Sequence, residues 1–167
     1  MLISRITFGI SIYASASRTE LNRVKVAYND CLRAIKGGDA TNKRKKTSIR
    51  DLHRSLALPT FPSLVKYFDI VLFKGIIEGH YPYHLYKHID QSYLFNTRAS
   101  NNGMIKLKFV PRNERANRSF LVRAVKAYNA LPIEIKSLRS GEKFKLAVKK
   151  FLYEREIQDT VEFCKLS

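Results

Sequence analysis

The chain has 167 residues and a formal net charge of +17, because 31 lysine and arginine residues face only 14 acidic ones. Its hydrophobic content of 45% suffices for a modest core and excludes wholesale disorder. The excess of positive charge indicates an anionic partner, either nucleic acid or acidic lipid. Its two cysteines, Cys31 and Cys164, are too few for a disulfide framework. No stretch reaches the length of about 20 apolar residues that a membrane span needs.

The positive charge lies in two blocks of sequence. Residues 1–60 carry 12 basic and 4 acidic side chains, and residues 112–151 carry 11 and 3, so each block has a net charge of +8. The stretch between them, 61–111, has 6 basic and 3 acidic residues, or +3. The last segment, 152–167, has 2 and 4, or −2. We therefore expect two positive surfaces, or one composite surface, on a shared core.

The N-terminal segment before Ser17 has two interpretations. It contains a weakly apolar run and an Ala-Ser-Ala triplet at 14–16 that resembles a signal-peptidase site, although Thr7, Gly9 and Ser11 dilute the run. The family resemblance set out below implies instead that it is the end of a helix belonging to a preceding region, and we favour that interpretation.

Three helices are predicted next. Apolar residues recur at helical spacing from Thr19 to Lys36, with Cys31 in the apolar stripe as a small core residue and a glycine pair afterwards as the stop. Ser48 followed by Asp51 resembles a capping arrangement for a short helix. The stretch 61–77 is the most apolar of the chain and predicts a helix at the buried centre of the fold.

The middle of the chain changes its periodicity. Gly79 ends the central helix, and a short helix is predicted to begin at Pro82, where the missing backbone donor costs nothing. Residues 91–117 lose helical periodicity. Within them the segment GMIKLKFVP, 103–111, alternates apolar residues with lysines, which predicts one arm of a minor β-hairpin inside 91–112.

The segment VRAVKAYNALP, residues 122–132, predicts an amphipathic helix that ends near Ala130. Pro132 lacks a backbone donor and disfavours helical geometry in the residue before it. One side of this helix is apolar, and the opposite side collects Arg118, Ser119, Arg123, Lys126 and Asn129. A last amphipathic helix follows with Ser140 as its N-cap. Its predicted inward side chains are Phe144, Val148, Phe151 and Leu152.

These elements predict a mainly α fold, a small helical bundle with the minor β-hairpin as an insertion. We divide the chain into residues 1–58, residues 59–153 and an acidic tail, 154–167. The first part holds helices and a basic loop, and the second is a helical domain with the small β element.

The sequence contains no catalytic motif. It lacks a phosphate-binding glycine loop, a nucleophile elbow, an H-E-x-x-H helix and a paired-aspartate motif. His84 and His88 share a helical face, but only Asp90 has suitable spacing to join them, so packing or surface positions are favoured over a metal site. We predict no catalytic residue, no metal site and no cofactor, and expect that the isolated chain is not an enzyme.

Basic residues interleaved with aromatic ones are the candidates for nucleic-acid binding. Guanidinium groups take two phosphate oxygens at once, and aromatic rings stack on unpaired bases. Each cation taken alone also fits a solvated surface position. The candidates are Lys43, Arg44, Lys45, Lys46, Arg98, Arg115, Arg118, Arg123 and Lys126. The run 43–46 also fits a nuclear-import patch, a common pattern, so we expect an intracellular protein with the nucleus as one candidate location.

Five segments follow one another in an order that resembles a known family. They are FGISIYASAS, LNRVKVAYNDCLRAIKG, SIRDLHRSLALPTF, Thr97-Arg98, and RSFLVRAVKAYNALP with the Ser140, Phe144, Lys145, Lys150 and Leu152 ending. This order resembles the C-terminal end of the reverse transcriptase polyprotein of non-LTR retrotransposons of the Jockey and chicken-repeat kind. The likeness spans residues 8–153. The chain departs from the family by having Tyr128 in place of tryptophan and Tyr28 in place of glutamine.

The resemblance implies a thumb and post-thumb fragment of an RNA-directed DNA polymerase, without the catalytic palm and the endonuclease. It implies that residues 1–58 hold the truncated end of the palm and thumb-like helices. It also implies a structural role for the family motif at Tyr128, Asn129, Leu131 and Pro132. The implied partners are RNA or DNA, bound without sequence preference, and the polymerase portion of the same element.

Two further hypotheses belong to other classes. A secreted cationic helical protein that acts on acidic membranes or partners would require cleavage before Ser17. A protein-interaction remnant would use its charge only for solubility.

Overall fold

The computed structural model describes residues 2–37, 48–81, 83–90 and 104–165, and within these ranges it is mainly helical, as predicted. The helices of these ranges are α1 (Leu2–Thr7), α2 (Ile10–Tyr13), α3 (Arg18–Ile35), α4 (Ile49–Leu56), α5 (Phe61–Ile77), α6 (Tyr83–Tyr86), α7 (Glu114–Asn117), α8 (Phe120–Asn129), α9 (Ile133–Lys136) and α10 (Gly141–Lys165). None of these helices is both long enough and apolar enough to traverse a bilayer.

The chain forms two compact units, Met1–Val65 and Lys66–Ser167, and the division falls inside α5. The boundary predicted between residues 58 and 59 lies just before this helix. The predicted acidic tail, 154–167, begins inside α10, whose backbone continues as a helix to Lys165.

The first unit is organised around the buried face of α3. Ser17 caps this helix, since its hydroxyl accepts a hydrogen bond from the Glu20 amide at 3.3 Å. Tyr28 and Leu32 on the inner face are almost fully buried, as is Leu52 of α4. Burial of these three side chains gives the unit its core and orients α4 against α3.

A buried polar cluster fastens α3 to the segment after α4. The Tyr28 hydroxyl donates to the carbonyl of Pro59 at 2.9 Å. The His53 ring lies 3.1 Å through Nδ1 from the carbonyl of Leu58 and 3.2 Å through Nε2 from the Asn29 side chain. These bonds satisfy polar groups that would otherwise be costly to bury.

Two details of this unit differ from the predictions. Cys31 is a free cysteine at a half-buried position and not a core residue, because Tyr28 and Leu32 occupy the inner face of α3. Ser48 stands at the N-cap position of α4 as predicted, but its side chain makes no capping hydrogen bond.

In the second unit the central helix is buried, as predicted. Ile70, Phe73 and Ile76 of α5 belong to one core cluster. The Phe73 ring meets the ring of Tyr128 on α8 edge to face, with centroids 5.4 Å apart. Gly79 closes the segment after α5 with a positive φ of 80°, a conformation that glycine adopts without steric cost.

Helix α10 completes this core from the other side. The Ser140 hydroxyl accepts from the Lys143 amide at 3.5 Å, which agrees with the predicted N-cap. Phe144, Val148 and Leu152 repeat at intervals of four residues and are buried, as predicted, and Phe151 packs partly buried beside them.

The β content of the described ranges is a single antiparallel bridge between Ile89 and Leu107. The amide of Asp90 donates to the Lys106 carbonyl at 2.9 Å, and the Lys108 amide donates to the His88 carbonyl at 3.0 Å. Most of the predicted hairpin, 91–112, falls on residues 91–103, which lie outside the described ranges.

Candidate nucleic-acid interface

The predicted interface is built on the corner formed by α7 and α8. Asn113 starts α7, because its side-chain oxygen accepts from the Ala116 amide at 2.7 Å. This short helix lies within residues 91–117, where the sequence shows no helical periodicity. Four residues are too few to display a helical period, and the cap is the only sequence signal.

Helix α8 has the predicted two-sided character. Val122, Ala124, Val125 and Tyr128 are buried on its inner side. The helix ends at Asn129 with Ala130 as its C-cap, two residues before Pro132, and this confirms the predicted end. We call the predicted basic residues of this corner, Arg115, Arg118, Arg123 and Lys126, the α7–α8 cations.

The α7–α8 cations differ in how strongly the protein itself engages them. Arg115 is exposed, and its side chain contacts no acidic group within the described ranges. Lys126 is exposed, and the one described polar group that its ammonium approaches is the Asn117 side-chain oxygen, at 3.4 Å. Arg118 forms an ion pair with Glu114 at 3.0 Å. Arg115 and Lys126 are therefore the members whose charge remains open to an external anion.

Arg123 is engaged in a structural ion pair. Its Nε lies 3.0 Å from Oδ2 of Asp69, and its Nη2 lies 3.3 Å from Oδ1 of the same carboxylate. Its Nη1 also donates to the carbonyl of Arg118. The Asp69 side chain is only 2% exposed and that of Arg123 20%. A carboxylate so deeply buried needs a partner, and Arg123 supplies it in the forked geometry that guanidinium groups favour.

Asn129 also has a role inside the protein. Its side-chain oxygen accepts from the Ile105 amide at 2.9 Å, and its side-chain nitrogen donates to the Ile105 carbonyl at 2.8 Å. The side chain thus pairs with one residue of an extended segment as a neighbouring strand would. The sequence pattern puts Asn129 on the polar side of the helix. In the structure its side chain is not free for a ligand but anchors residue 105 to α8.

The other motif positions line the core. Tyr128 and Leu131 are buried, and burial together with the nearby charge of Glu78 raises the pKa of Tyr128 to about 12. The ammonium group of Lys136 lies 5.7 Å from the centre of the Tyr128 ring and donates to the Asn129 carbonyl at 3.1 Å. Burial lowers the pKa of Lys136 from its ordinary value.

Lys74 joins this cluster to α10. Its ammonium group donates to the Lys136 carbonyl at 3.1 Å, pairs with Glu78 at 3.3 Å, and lies 5.3 Å from the centre of the Phe144 ring. The ammonium groups of Lys74 and Lys136 therefore lie at the C-terminal ends of helices and close to aromatic rings. Their charges are poorly placed to bind an external partner.

A second basic surface, not predicted as a site, lies between α5 and α10. A groove of about 360 Å³ is bordered by Tyr67, Glu142, Lys143, Lys145, Leu146 and Lys149. We call it the α5–α10 groove. The available sequence signal was the pair Lys145 and Lys149, spaced by four on a predicted helix.

Several predicted residues are beyond what the structure places. Lys43, Arg44, Lys45, Lys46 and Arg98 lie outside the described ranges, so their proximity to the α7–α8 cations stays a prediction. His84 and His88 are exposed, and the described part of the chain contains no group of three residues suited to hold a metal ion.

Comparison with known proteins identified no matching family model, no matching curated protein and no matching solved structure.

Proposed function

We propose that this chain binds RNA or DNA without sequence preference and has no catalytic role by itself. Its contacts are made by lysine and arginine side chains to the phosphate backbone. We further propose, from the order of its sequence segments, that it is the thumb-like and post-thumb part of a reverse transcriptase of a non-LTR retrotransposon. In that setting it would help to hold template and primer beside a polymerase portion.

The supporting observation concerns the described part of the second unit. There, exposed basic residues without an ion pair outnumber exposed acidic residues without one. Asp69, Glu114 and Glu154 each form an ion pair with one basic residue, and Glu78 pairs with Lys74 and lies 3.8 Å from His80. Glu134 and Glu142 are exposed and form no ion pair with a described residue. More cations than acids are exposed and have no ion-pair partner among the described residues, and they include Lys108, Arg112, Arg115, Lys126, Lys143, Lys145 and Lys149. Such a surplus attracts a polyanion and releases its counterions on contact.

The family motif fits this proposal through its packing. Tyr128 and Leu131 fill the core, and Asn129 fixes the segment at residue 105, so the motif holds α8 in place. The same helix then presents Lys126 outward beside α7. The motif therefore positions a helix whose outward Lys126 is suited to a phosphate contact.

Fluorescence anisotropy with a labelled single-stranded oligonucleotide, titrated at several KCl concentrations, tests the proposal. We expect tight binding at low salt and a steep loss as salt rises, with each neutralised phosphate of a single strand adding about 0.7 to the slope of log affinity against log salt. The variant Arg115→Ala/Lys126→Ala should lower that slope by about 1.4. Lys66→Ala/Lys87→Ala removes the same charge from exposed positions elsewhere and is the matched control.

Absence of binding at low salt would refute the proposal. Equal binding to anionic vesicles, with no preference for oligonucleotides, would instead favour the cationic membrane-active protein.

A further inference from the structure

The α5–α10 groove lies on a different side of the central helix from the α7–α8 cations. Tyr67 and Asp69 are two residues apart on α5 and so point about 200° apart around its axis. Asp69 contacts Arg123 of α8, whereas Tyr67 borders the groove with α10. The groove and the contact between Asp69 and α8 therefore lie on opposite sides of α5.

Charge in the groove favours an anionic occupant. Lys143, Lys145 and Lys149 face one acidic residue, Glu142, at its border. None of the three lysines forms an ion pair with a described residue, and all three are exposed. Lys145 and Lys149 lie one helical turn apart, about 6 Å along the axis of α10, so both reach the same side of the groove.

The groove also has an apolar part, which distinguishes it from the α7–α8 surface. The Leu146 side chain, in a residue that is 70% exposed, and the half-buried ring of Tyr67 both border it. The Tyr67 ring packs edge to face against Phe68, with centroids 5.2 Å apart, so its orientation is restrained. A restrained aromatic ring next to lysines offers a stacking surface for an unpaired base together with charge for its phosphate.

We propose that the α5–α10 groove binds a single-stranded segment of nucleic acid, with a base against Tyr67 and the adjoining phosphates at Lys145 and Lys149. Duplex presents its phosphates outward and keeps its bases stacked inside, so it does not use the apolar part of the groove. This inference rests on the proposed function for the class of partner, and adds a preference for single strands and the surface that confers it.

The test compares a labelled 20-nucleotide oligothymidine with a duplex of the same length, by anisotropy at low salt. Lys145→Ala/Lys149→Ala should weaken single-strand binding about tenfold and lower its salt slope by about 1.4. Tyr67→Leu removes the stacking ring and keeps apolar bulk, so single-strand affinity should fall at least fivefold with duplex affinity unchanged. Tyr67→Phe should bind as the wild type does. The control Lys66→Ala/Lys87→Ala removes two exposed lysines that neither border the groove nor belong to the α7–α8 cations.

Photo-crosslinking with an oligonucleotide that carries 5-iodouracil provides a second measurement on the unaltered protein. The expected adduct lies at Tyr67. An adduct confined to residues 115–126, or a Tyr67→Leu variant with wild-type affinity for single strands, would overturn this inference and leave the proposed function standing. Failure of every oligonucleotide to bind the wild type would overturn both. Displacement by polyglutamate that depends equally on Tyr67 would assign the groove to an acidic protein and also overturn the inference.

Discussion

The ion pair between Arg123 and Asp69 gives the most stringent test of how the basic helix is used. If Arg123 balances a buried carboxylate, then Arg123→Ala should destabilise the protein by about 3 to 5 kcal/mol, because it leaves the Asp69 charge buried and unpaired. That loss is a large part of the 5 to 15 kcal/mol that is typical of a whole domain. Arg115→Ala, on an exposed position of the same surface, should change stability by no more than about 0.5 kcal/mol.

Urea unfolding followed by circular dichroism at 222 nm measures these differences through the midpoint and the slope. The double variant Asp69→Leu/Arg123→Met replaces both charges with apolar side chains of similar bulk. It should recover most of the stability, since the desolvation cost of the two charges disappears together. The reasoning would be refuted by an Arg123→Ala variant within about 0.5 kcal/mol of the wild type, or by a double variant as unstable as the single one.

The same double variant distinguishes the structural role of Arg123 from a direct role in nucleic-acid binding. Because it keeps the fold without the guanidinium, its affinity for oligonucleotides reports the direct contribution of Arg123. We expect that affinity to lie close to the wild-type value, since the guanidinium faces Asp69 and the Arg118 carbonyl.

Three other predictions concern the end of α8. Asn129→Ala should cost about 1 to 3 kcal/mol in urea unfolding and speed hydrogen exchange at the Ile105 amide, which loses its acceptor; unchanged exchange there would contradict it. The raised pKa of Tyr128 means that the folded state keeps the phenol proton where the unfolded chain loses it, so stability should fall by up to about 2.7 kcal/mol as the pH rises from about 10 to 12. Tyr128→Phe should lack that loss when urea midpoints at pH 9 and pH 11.5 are compared. The lowered pKa of Lys136 acts in the opposite direction, so stability should rise as the pH approaches 10.5, and Lys136→Met should not show this rise.

The long helices could be predicted from the sequence because each buries one face at a regular spacing. Apolar residues at intervals of three and four defined α3, α5 and α10, and the proline at 132 located the end of α8. Short helices such as α7 and α9 have no such period. They depend on local caps and on the packing of neighbouring elements, which no single stretch of sequence displays.

The sequence also did not show which charged and polar side chains pair with one another. Placing Arg123 on the polar side of α8 was consistent with the sequence, but only the packing of α5 shows that this side meets Asp69. Asp69 is the only acidic residue of the largely apolar helix 61–77, and a carboxylate in such a helix is a sequence signal that it needs a cationic partner. Asn129 is similar, because its partner, Ile105, is 24 residues away in sequence.

The candidate site was partly predictable. Arg115 and Lys126 were identified from the basic segment, and both are exposed. The α5–α10 groove was missed as a site because it combines Tyr67 with lysines almost 80 residues later, a proximity that arises only when α10 packs on α5.

The salt dependence of single-stranded oligonucleotide binding tests the central claim most directly. The measurement compares the wild type with the fourfold variant Arg115→Ala, Lys126→Ala, Lys145→Ala and Lys149→Ala, after circular dichroism has shown equal helix content. We predict that the wild type binds with a steep slope of log affinity against log salt, and that the variant's slope is smaller by about 2.8, with weaker binding at every salt concentration. Identical slopes for the two proteins would contradict the claim. So would the absence of wild-type binding at about 50 mM KCl, a low salt concentration at which phosphate contacts are strong.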